Sequence, residues 1–268
     1  MKLANWSVKA LYPLALAEGE GVGTAYEYVA KRLVLGRWLS DAPRPRSLLV
    51  AGLPEKYGAG LDWMVLAQEW GIRPIIVDDR PAALAHFAAA VRAAQAVGLL
   101  PGLAYDTALV SDLSALTELD GTFDLAVASE VVQRISAEKR PVYLQTIARL
   151  AARFALFLPN GDNRAHTTLS GLNGLRLAEW RILLEQRPTE ESWRVGYVDL
   201  PPFPPGVTRS AEQRHQAGRG WPEALAMRGL GVYARGESFL PAALTRRYAH
   251  IIYGLGRRQA FPAAFSGG

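Results

Sequence analysis

Short, continuous apolar runs recur along the middle of this chain, and each is followed by a longer stretch with helical spacing. Such runs predict strands, and the first of them, Leu48 to Ala51, reads as a strand buried on both faces. The runs are Leu48-Leu49-Val50-Ala51, Pro74-Ile75-Ile76-Val77, Ala108-Leu109-Val110, Leu125-Ala126-Val127-Ala128 and Phe154-Ala155-Leu156-Phe157-Leu158. Between them, Leu61 to Trp70 reads as a helix ended by Gly71. Pro81 to Val97 reads as an alanine-rich helix with proline at a favoured first-turn position, and Ser136 to Ala152 as another. Strands alternating with helices of this length predict an α/β fold with a doubly wound, mostly parallel sheet.

The flanks carry weaker patterns. Thr24 to Leu39 reads as a helix, with Thr24 as N-cap and Glu27 completing a capping box. Pro43 and Pro45 make Asp41 to Arg46 a linker. Downstream, Leu177 to Gln186 reads as a helix and Trp193 to Leu200 as a strand. Pro201 to Gly206 reads as an extended surface segment, and helices follow near Ser210 to Met227 and near Pro241 to Leu255. The tail from Phe261 to Gly268 is expected to be loose. The chain thus divides into an N-terminal helical cap (1–45), a core (46–200) and a C-terminal helical extension (201–268).

Composition narrows this picture. The 268 residues are 50% hydrophobic and 21% charged, as in an ordinary globular protein. With no cysteine, disulfides, thiolate metal sites and cysteine nucleophiles are excluded. The four histidines (His86, His166, His215, His250) do not cluster in sequence, so no metal is expected. The apolar run Ala10 to Ala17 is short, contains Pro13 and lacks a cleavage pattern, and no segment approaches the ~20 apolar residues of a membrane span. A cytoplasmic protein is the expectation. The net charge of +5 permits an anionic partner. The nine arginines between 201 and 258 lack an accompanying aromatic-and-basic recognition motif and read as solvated helix faces.

Candidate chemistry follows the first strand. Gly52-Leu53-Pro54-Glu55-Lys56-Tyr57-Gly58-Ala59-Gly60 is a glycine-rich turn between strand and helix, where a ligand can approach free N–H groups. Asp78 closes the second strand, where a carboxylate can accept both hydroxyls of a ribose. Asp79 can share that role or cap the next helix. A nucleoside-containing ligand suits this spacing. A dinucleotide fingerprint would need a third glycine where Trp63 stands, which weakens NAD or FAD without removing it.

Several stretches resemble, in order, the motifs of class I S-adenosylmethionine (SAM)-dependent methyltransferases of the type 11/25 kind. Val77-Asp78-Asp79-Arg80-Pro81-Ala82-Ala83-Leu84 is similar to the second motif. Ser111-Asp112-Leu113-Ser114-Ala115-Leu116 is similar to the third, and Phe123 to Ile135 to the fourth. Leu156-Phe157-Leu158-Pro159-Asn160 is similar to the fifth strand and its exit. The glycine-rich first motif is degenerate, because Ala51 stands where an acid is common and extra residues separate Gly52 from Gly58 and Gly60. The resemblance implies a Rossmann-like, seven-stranded sheet with the last strand antiparallel, under an N-terminal helical cap. It implies SAM as methyl donor, held by Gly52, Glu55, Gly58, Gly60, Asp78, Asp79, Asp112, Leu113, Ser129 and Glu130. Asp78 would meet the ribose, Asp112 and Leu113 the adenine, and Ser129 and Glu130 the methionine end. Glu55 would substitute for the missing acid. Arg134 stands where many members carry histidine.

Methyl transfer is an in-line displacement, and a base helps only when the acceptor is a hydroxyl or a protonated amine. His166, Glu130 and Tyr26 are the candidates. The expected function is methylation of a small-molecule acceptor, with a nucleic-acid acceptor as the less favoured variant. A catalytically inactive methyltransferase-like binding protein and an NAD-dependent oxidoreductase stand as alternatives.

Overall fold

The structure, a computed structural model, describes residues 7–117, 119, 121–185, 191–202 and 220–258. The strands are β1 (Leu48–Ala51), β2 (Ile75–Asp78), β3 (Asp106–Leu109), β4 (Leu125–Ser129), β5 (Arg153–Pro159), β6 (Glu191–Val198) and β7 (Ile251–Arg258). They form one sheet in the order β3-β2-β1-β4-β5-β7-β6, with β7 antiparallel to both neighbours. The remaining pairings, from β3 across to β5, are parallel. The helices are α1 (Val8–Ala17), α2 (Val22–Trp38), α3 (Leu61–Trp70), α4 (Pro81–Ala96), α5 (Arg140–Leu150), α6 (Arg164–Ser170), α7 (Leu177–Glu185), α8 (Trp221–Gly236) and α9 (Ala242–Tyr248).

The two-residue period of the strands sorts their side chains into two cores. Leu48, Val50, Leu125, Val127, Ala155 and Phe157 face α1, α2, α3, α4 and α8. Leu49, Ala51, Ala126, Ala128, Phe154 and Leu156 face α5 and α7. Every residue of β1, β4 and β5 is therefore buried, which is why their runs are continuously apolar. The run Ala10 to Ala17 is part of α1, whose Val8, Leu11, Tyr12, Leu14 and Ala15 are buried. Among the described residues no helix is long and apolar enough to cross a membrane.

Three expectations need correction. α2 begins at Val22 with Gly21 as N-cap, so Thr24 lies inside the helix and no capping box forms. Glu27 pairs instead with Lys31 one turn on, at 2.9 Å. The helix expected up to Leu255 ends at Tyr248, and Ile251–Arg258 is the strand that joins β5 to β6. The β-branched pair Ile251-Ile252 and the glycines explain this outcome. A Cβ at Gly254 would lie 2.8 Å from the Trp180 ring, and one at Gly256 would overlap the Phe154 ring, so both strand glycines admit close packing from neighbouring aromatics. Consequently 201–268 is not only a helical extension, because it also supplies a strand of the central sheet. Of Pro201 to Gly206 only Pro201 and Pro202 are described. Residues 210–219 and the tail from Phe261 lie outside the described residues.

Candidate functional site

The sheet order reverses between β1 and β4, and the carboxyl edge at such a reversal is where open α/β sheets place ligands. β1 passes there into Gly52, whose φ of 103° belongs to the region glycine tolerates. A Cβ at Gly52 would lie 2.9 Å from Val131 and 3.0 Å from Leu113. The next N–H, from Leu53, donates to Asp78 Oδ2 at 2.7 Å.

Asp78 is fully buried, and its oxygens are already engaged. Oδ1 accepts from the Arg80 N–H (2.9 Å) and Arg80 Nε (2.8 Å). Oδ2 accepts from Arg134 Nη2 (3.0 Å) and Arg80 Nη2 (3.1 Å) as well as from Leu53. Burial acts to raise the Asp78 pKa, but these donors outweigh it and hold the carboxyl below its ordinary value. Arg134 also reaches Asp79 at 2.8 Å. Gly52, Leu113, Asp78 and Asp79 are thus gathered around one turn. Arg134, which follows β4, closes the group from the far side of β1.

The rest of the loop is held by acids. Glu55 accepts from Gln133 Nε2 at 2.9 Å, while Gln133 Oε1 is buried without a partner. Glu130 has a left-handed φ of 52°, uncommon for a residue with a side chain. Its carboxyl accepts from the N–H groups of Lys56 (3.1 Å) and Tyr57 (3.3 Å). Burial, reinforced by Glu27, pushes Glu130 up to about 8. Gly58 (φ 70°) donates to Glu20 at 3.2 Å, and a Cβ there would lie 2.9 Å from Glu18 and from the Tyr28 hydroxyl. Glu18 accepts from Tyr28 and from the Leu61 N–H (2.7 Å) at the start of α3, and burial pushes it up to about 8. Gly60, at φ 78°, is the residue before α3. The end of α1 and the start of α2 therefore close over the loop.

Ser129, at the end of β4, accepts from Lys31 Nζ at 3.1 Å. Lys31 is buried, pairs with Glu27 (2.9 Å) and Asp62 (3.2 Å), and lies 5.0 Å from the centre of the Trp63 ring. Burial acts to lower its pKa, but Asp62 and Glu27 outweigh that and hold it above the ordinary lysine value. Sequence reasoning missed Glu18, Lys31 and Asp62. The available signal was the charged pair Lys31-Arg32 inside a helix whose neighbours are apolar.

Three predicted residues lie apart from the loop. Asp112 pairs with Lys139 (2.8 Å) and with the Ser114 N–H (2.8 Å) and hydroxyl (2.6 Å). The Lys139 bond, aided by Ser114, lowers it to about 2. Tyr26 donates to Glu237 at 2.5 Å, and its hydroxyl oxygen lies 3.3 Å from the Leu200 carbonyl. Burial and then Glu237 drive its pKa far above the ordinary phenol value, so it holds its proton. His166 stacks on His250 with ring centres 4.2 Å apart. Burial, then His250, lower His166 to about 4, so it is neutral at pH 7. Asn160 and Asn163 are buried and bind the carbonyls that lead into β7, which makes them structural clamps. Among the described residues no group of three or more His, Cys, Asp or Glu could hold a metal ion.

No family model matches this chain, and no curated protein matches its sequence. Solved structures do share its fold. The methyltransferase domain of bacterial CtHen1 superposes with a TM-score of 0.50 at 9% identity, covering 88% of this chain and 98% of that one. The N-methyltransferase NodS of Bradyrhizobium japonicum superposes with a TM-score of 0.49 at 14% identity, over 88% of this chain and 97% of that one. A TehB-like SAM-dependent methyltransferase of Corynebacterium glutamicum superposes with a TM-score of 0.48 at 15% identity, over 87% and 88%. At these identities the likeness is one of fold, the Rossmann-like fold of class I methyltransferases.

Proposed function

We propose that this chain is a SAM-dependent methyltransferase, of the type 11/25 kind, acting on a small-molecule acceptor. The observation that carries the reading is the juxtaposition, at the sheet's reversal point, of the Gly52 turn, the Leu53 N–H on Asp78, and Ser129-Glu130 at the end of β4. The division into a cap (1–45), a SAM-binding core (46–200) and a C-terminal segment (201–268) on the acceptor side belongs to the same proposal.

The residues fit the cofactor in kind. Asp78 supplies a carboxylate for ribose hydroxyls, and Gly52, Gly58 and Gly60 supply close backbone approach. Gln133 Oε1 is a buried acceptor without a donor, suited to an amino group. Asp79, Leu113, Glu55, Ser129 and Glu130 complete the assigned set, with Asp112 at its margin. Bound SAM would supply an electrophilic methyl on a sulfonium, and the chain's part is to bind, orient and exclude water. For Asp78 to accept ribose hydroxyls, Arg134 or Arg80 has to give up its hydrogen bonds.

That engagement favours one second reading, a methyltransferase-like binding protein that does not turn over SAM. The oxidoreductase reading has no such support, since Trp63 is buried and packs on Phe157, with ring centres 5.8 Å apart. Calorimetry with SAM and S-adenosylhomocysteine tests the proposal. Micromolar binding is expected, and silence at millimolar ligand would overturn it.

A further inference from the structure

A second polar cluster lies at the same edge of the sheet, around the end of β6 and the start of β7. Asp199 follows β6 in a left-handed conformation (φ 67°), which a residue with a side chain adopts at some cost. Its carbonyl accepts from the His250 N–H at 2.7 Å, and its Oδ2 lies 3.1 Å from His250 Nδ1. Its own N–H donates to Glu237 at 3.3 Å. Asn160 fixes the other side, where its N–H donates to the His250 carbonyl at 2.8 Å and its side-chain amide to the Ala249 carbonyl at 2.8 Å. His250 is thereby held by its backbone on two sides and by its ring on a third.

A carboxylate at Nδ1 makes that nitrogen the protonated one and leaves the lone pair on Nε2. Among the described residues Nε2 makes no hydrogen bond, and the His250 side chain keeps 17% of its surface exposed. His166 has the opposite character. Its ring is half-buried like that of His250, but its Nδ1 is buried and has no hydrogen-bond partner among the described residues. Asp199 Oδ1 is likewise buried without a donor. The titratable groups that act on His250 are Asp199 after β6, Glu27 on α2, Glu237 after α8, and His166 on α6. Glu27 connects this cluster to the loop side, because it pairs with the Lys31 that holds Ser129.

We propose that His250, positioned by Asp199, is the general base for the acceptor, and that the acceptor is a compound whose nucleophilic atom carries a proton, a hydroxyl or an ammonium. The inference rests on the methyltransferase reading above. The acids Asp199, Glu27 and Glu237 disfavour a carboxylate acceptor, which would in any case need no base. In the step, the acceptor's proton passes to Nε2 and its lone pair forms the bond to the methyl carbon. The carbon–sulfur bond breaks with its electron pair remaining on sulfur, and neutral S-adenosylhomocysteine leaves. Water then takes the proton from His250. Asp199 acts through His250 and is a positioning residue.

The test uses the full chain and three readouts. Imidazole nitrogen NMR should show His250 as the Nδ1–H tautomer, titrating above the ordinary 6.5, because the Asp199 bond outweighs burial. Asp199→Asn should pull that titration down. Calorimetry should show S-adenosylhomocysteine binding the native chain and His250→Asn alike. With catechol, phenethylamine and benzoate as probe acceptors, S-adenosylhomocysteine should form with catechol or phenethylamine at a rate that rises through the His250 titration. His250→Asn should lose about a hundredfold and the pH limb with it, and Asp199→Asn should shift the limb to lower pH.

An Nε2–H tautomer in the native chain would overturn the proposal whether or not the variant folds. So would an unchanged rate in His250→Asn, turnover of benzoate alone, or no turnover of any probe by a chain that binds S-adenosylhomocysteine. Failure of the native chain to bind S-adenosylhomocysteine would overturn the cofactor reading itself, and with it the need for a base.

Discussion

Arg134→Gln is expected to tighten the binding of S-adenosylhomocysteine. Arg134 donates to Asp78 Oδ2 at 3.0 Å and to Asp79 Oδ1 at 2.8 Å, and Asp78 also carries Arg80 and the Leu53 N–H. A ribose that takes Asp78 has to displace at least one of these donors. A hydrogen bond to a charged group contributes about 1.5–3 kcal/mol net. Asp78 is fully buried and the Arg134 side chain is 13% exposed, so solvent screens this bond little. Removing the competing donor should therefore strengthen binding by about 1.5–3 kcal/mol, on the order of ten- to a hundredfold in Kd. Arg80 and Leu53 remain on Asp78, so the folded state should lose only part of the carboxylate's stabilisation. Calorimetry at fixed salt, with a thermal melt to check integrity, measures both quantities. An unchanged or weaker affinity in a variant that melts normally would refute the displacement argument, and would mean that the guanidinium itself helps to hold the ligand.

Lys31→Met removes the cation between Glu27 and Asp62 while keeping its apolar stem, and leaves the buried Asp62 carboxylate without its ion pair, with only Arg32 as a neighbouring cation among the described residues. Urea unfolding should show a loss of about 3–5 kcal/mol, partly restored by adding Asp62→Asn. A loss below about 1 kcal/mol, typical of an exposed pair, would contradict the burial of this site. Glu18 and Glu130 both have folded-state pKa values pushed up to about 8 by burial, so the folded chain binds more protons than the unfolded chain between their ordinary value and 8. Their contribution to stability is full below the ordinary carboxyl pKa and is lost as pH rises to 8, by up to about 1.4 kcal/mol per pH unit for each group. His166, lowered to about 4, acts in the opposite sense only below the ordinary histidine value of 6.5. Tm should therefore fall from pH 6.5 to 8, and a flat profile in that window would count against both carboxyls. Gly256→Ala should cost about 1–3 kcal/mol or more in urea unfolding, because the added methyl overlaps the Phe154 ring.

The sequence by itself determined the parallel half of the sheet. Each of β1, β2, β4 and β5 is a local apolar run whose burial on both faces demands apolar residues throughout, and α3 and α4 carry their own end signals in Gly71 and Pro81. The Gly52 turn and Asp78 were legible for the same reason, since a turn glycine and a strand-end acid are local features. What surrounds them was not. Arg134 reaches Asp78 and Asp79 from 56 and 55 positions away in the chain. Glu18 and Lys31 come from helices that precede the sheet altogether, and a carboxyl or ammonium is driven into that interior only by partners the fold brings to it. The tertiary structure also decided β7, whose first residues the sequence places in a helix running to Leu255, because the room that Gly254 and Gly256 leave has a use only once Trp180 and Phe154 fill the space above them. It decided which histidine is held by a carboxylate, because Asp199 meets His250 only after β6 and β7 have paired in antiparallel register, Val198 opposite Ile251. Hydrophobic periodicity is set within a few residues of each position, whereas the state of a buried charge is set by whatever the packed chain places within hydrogen-bonding distance of it.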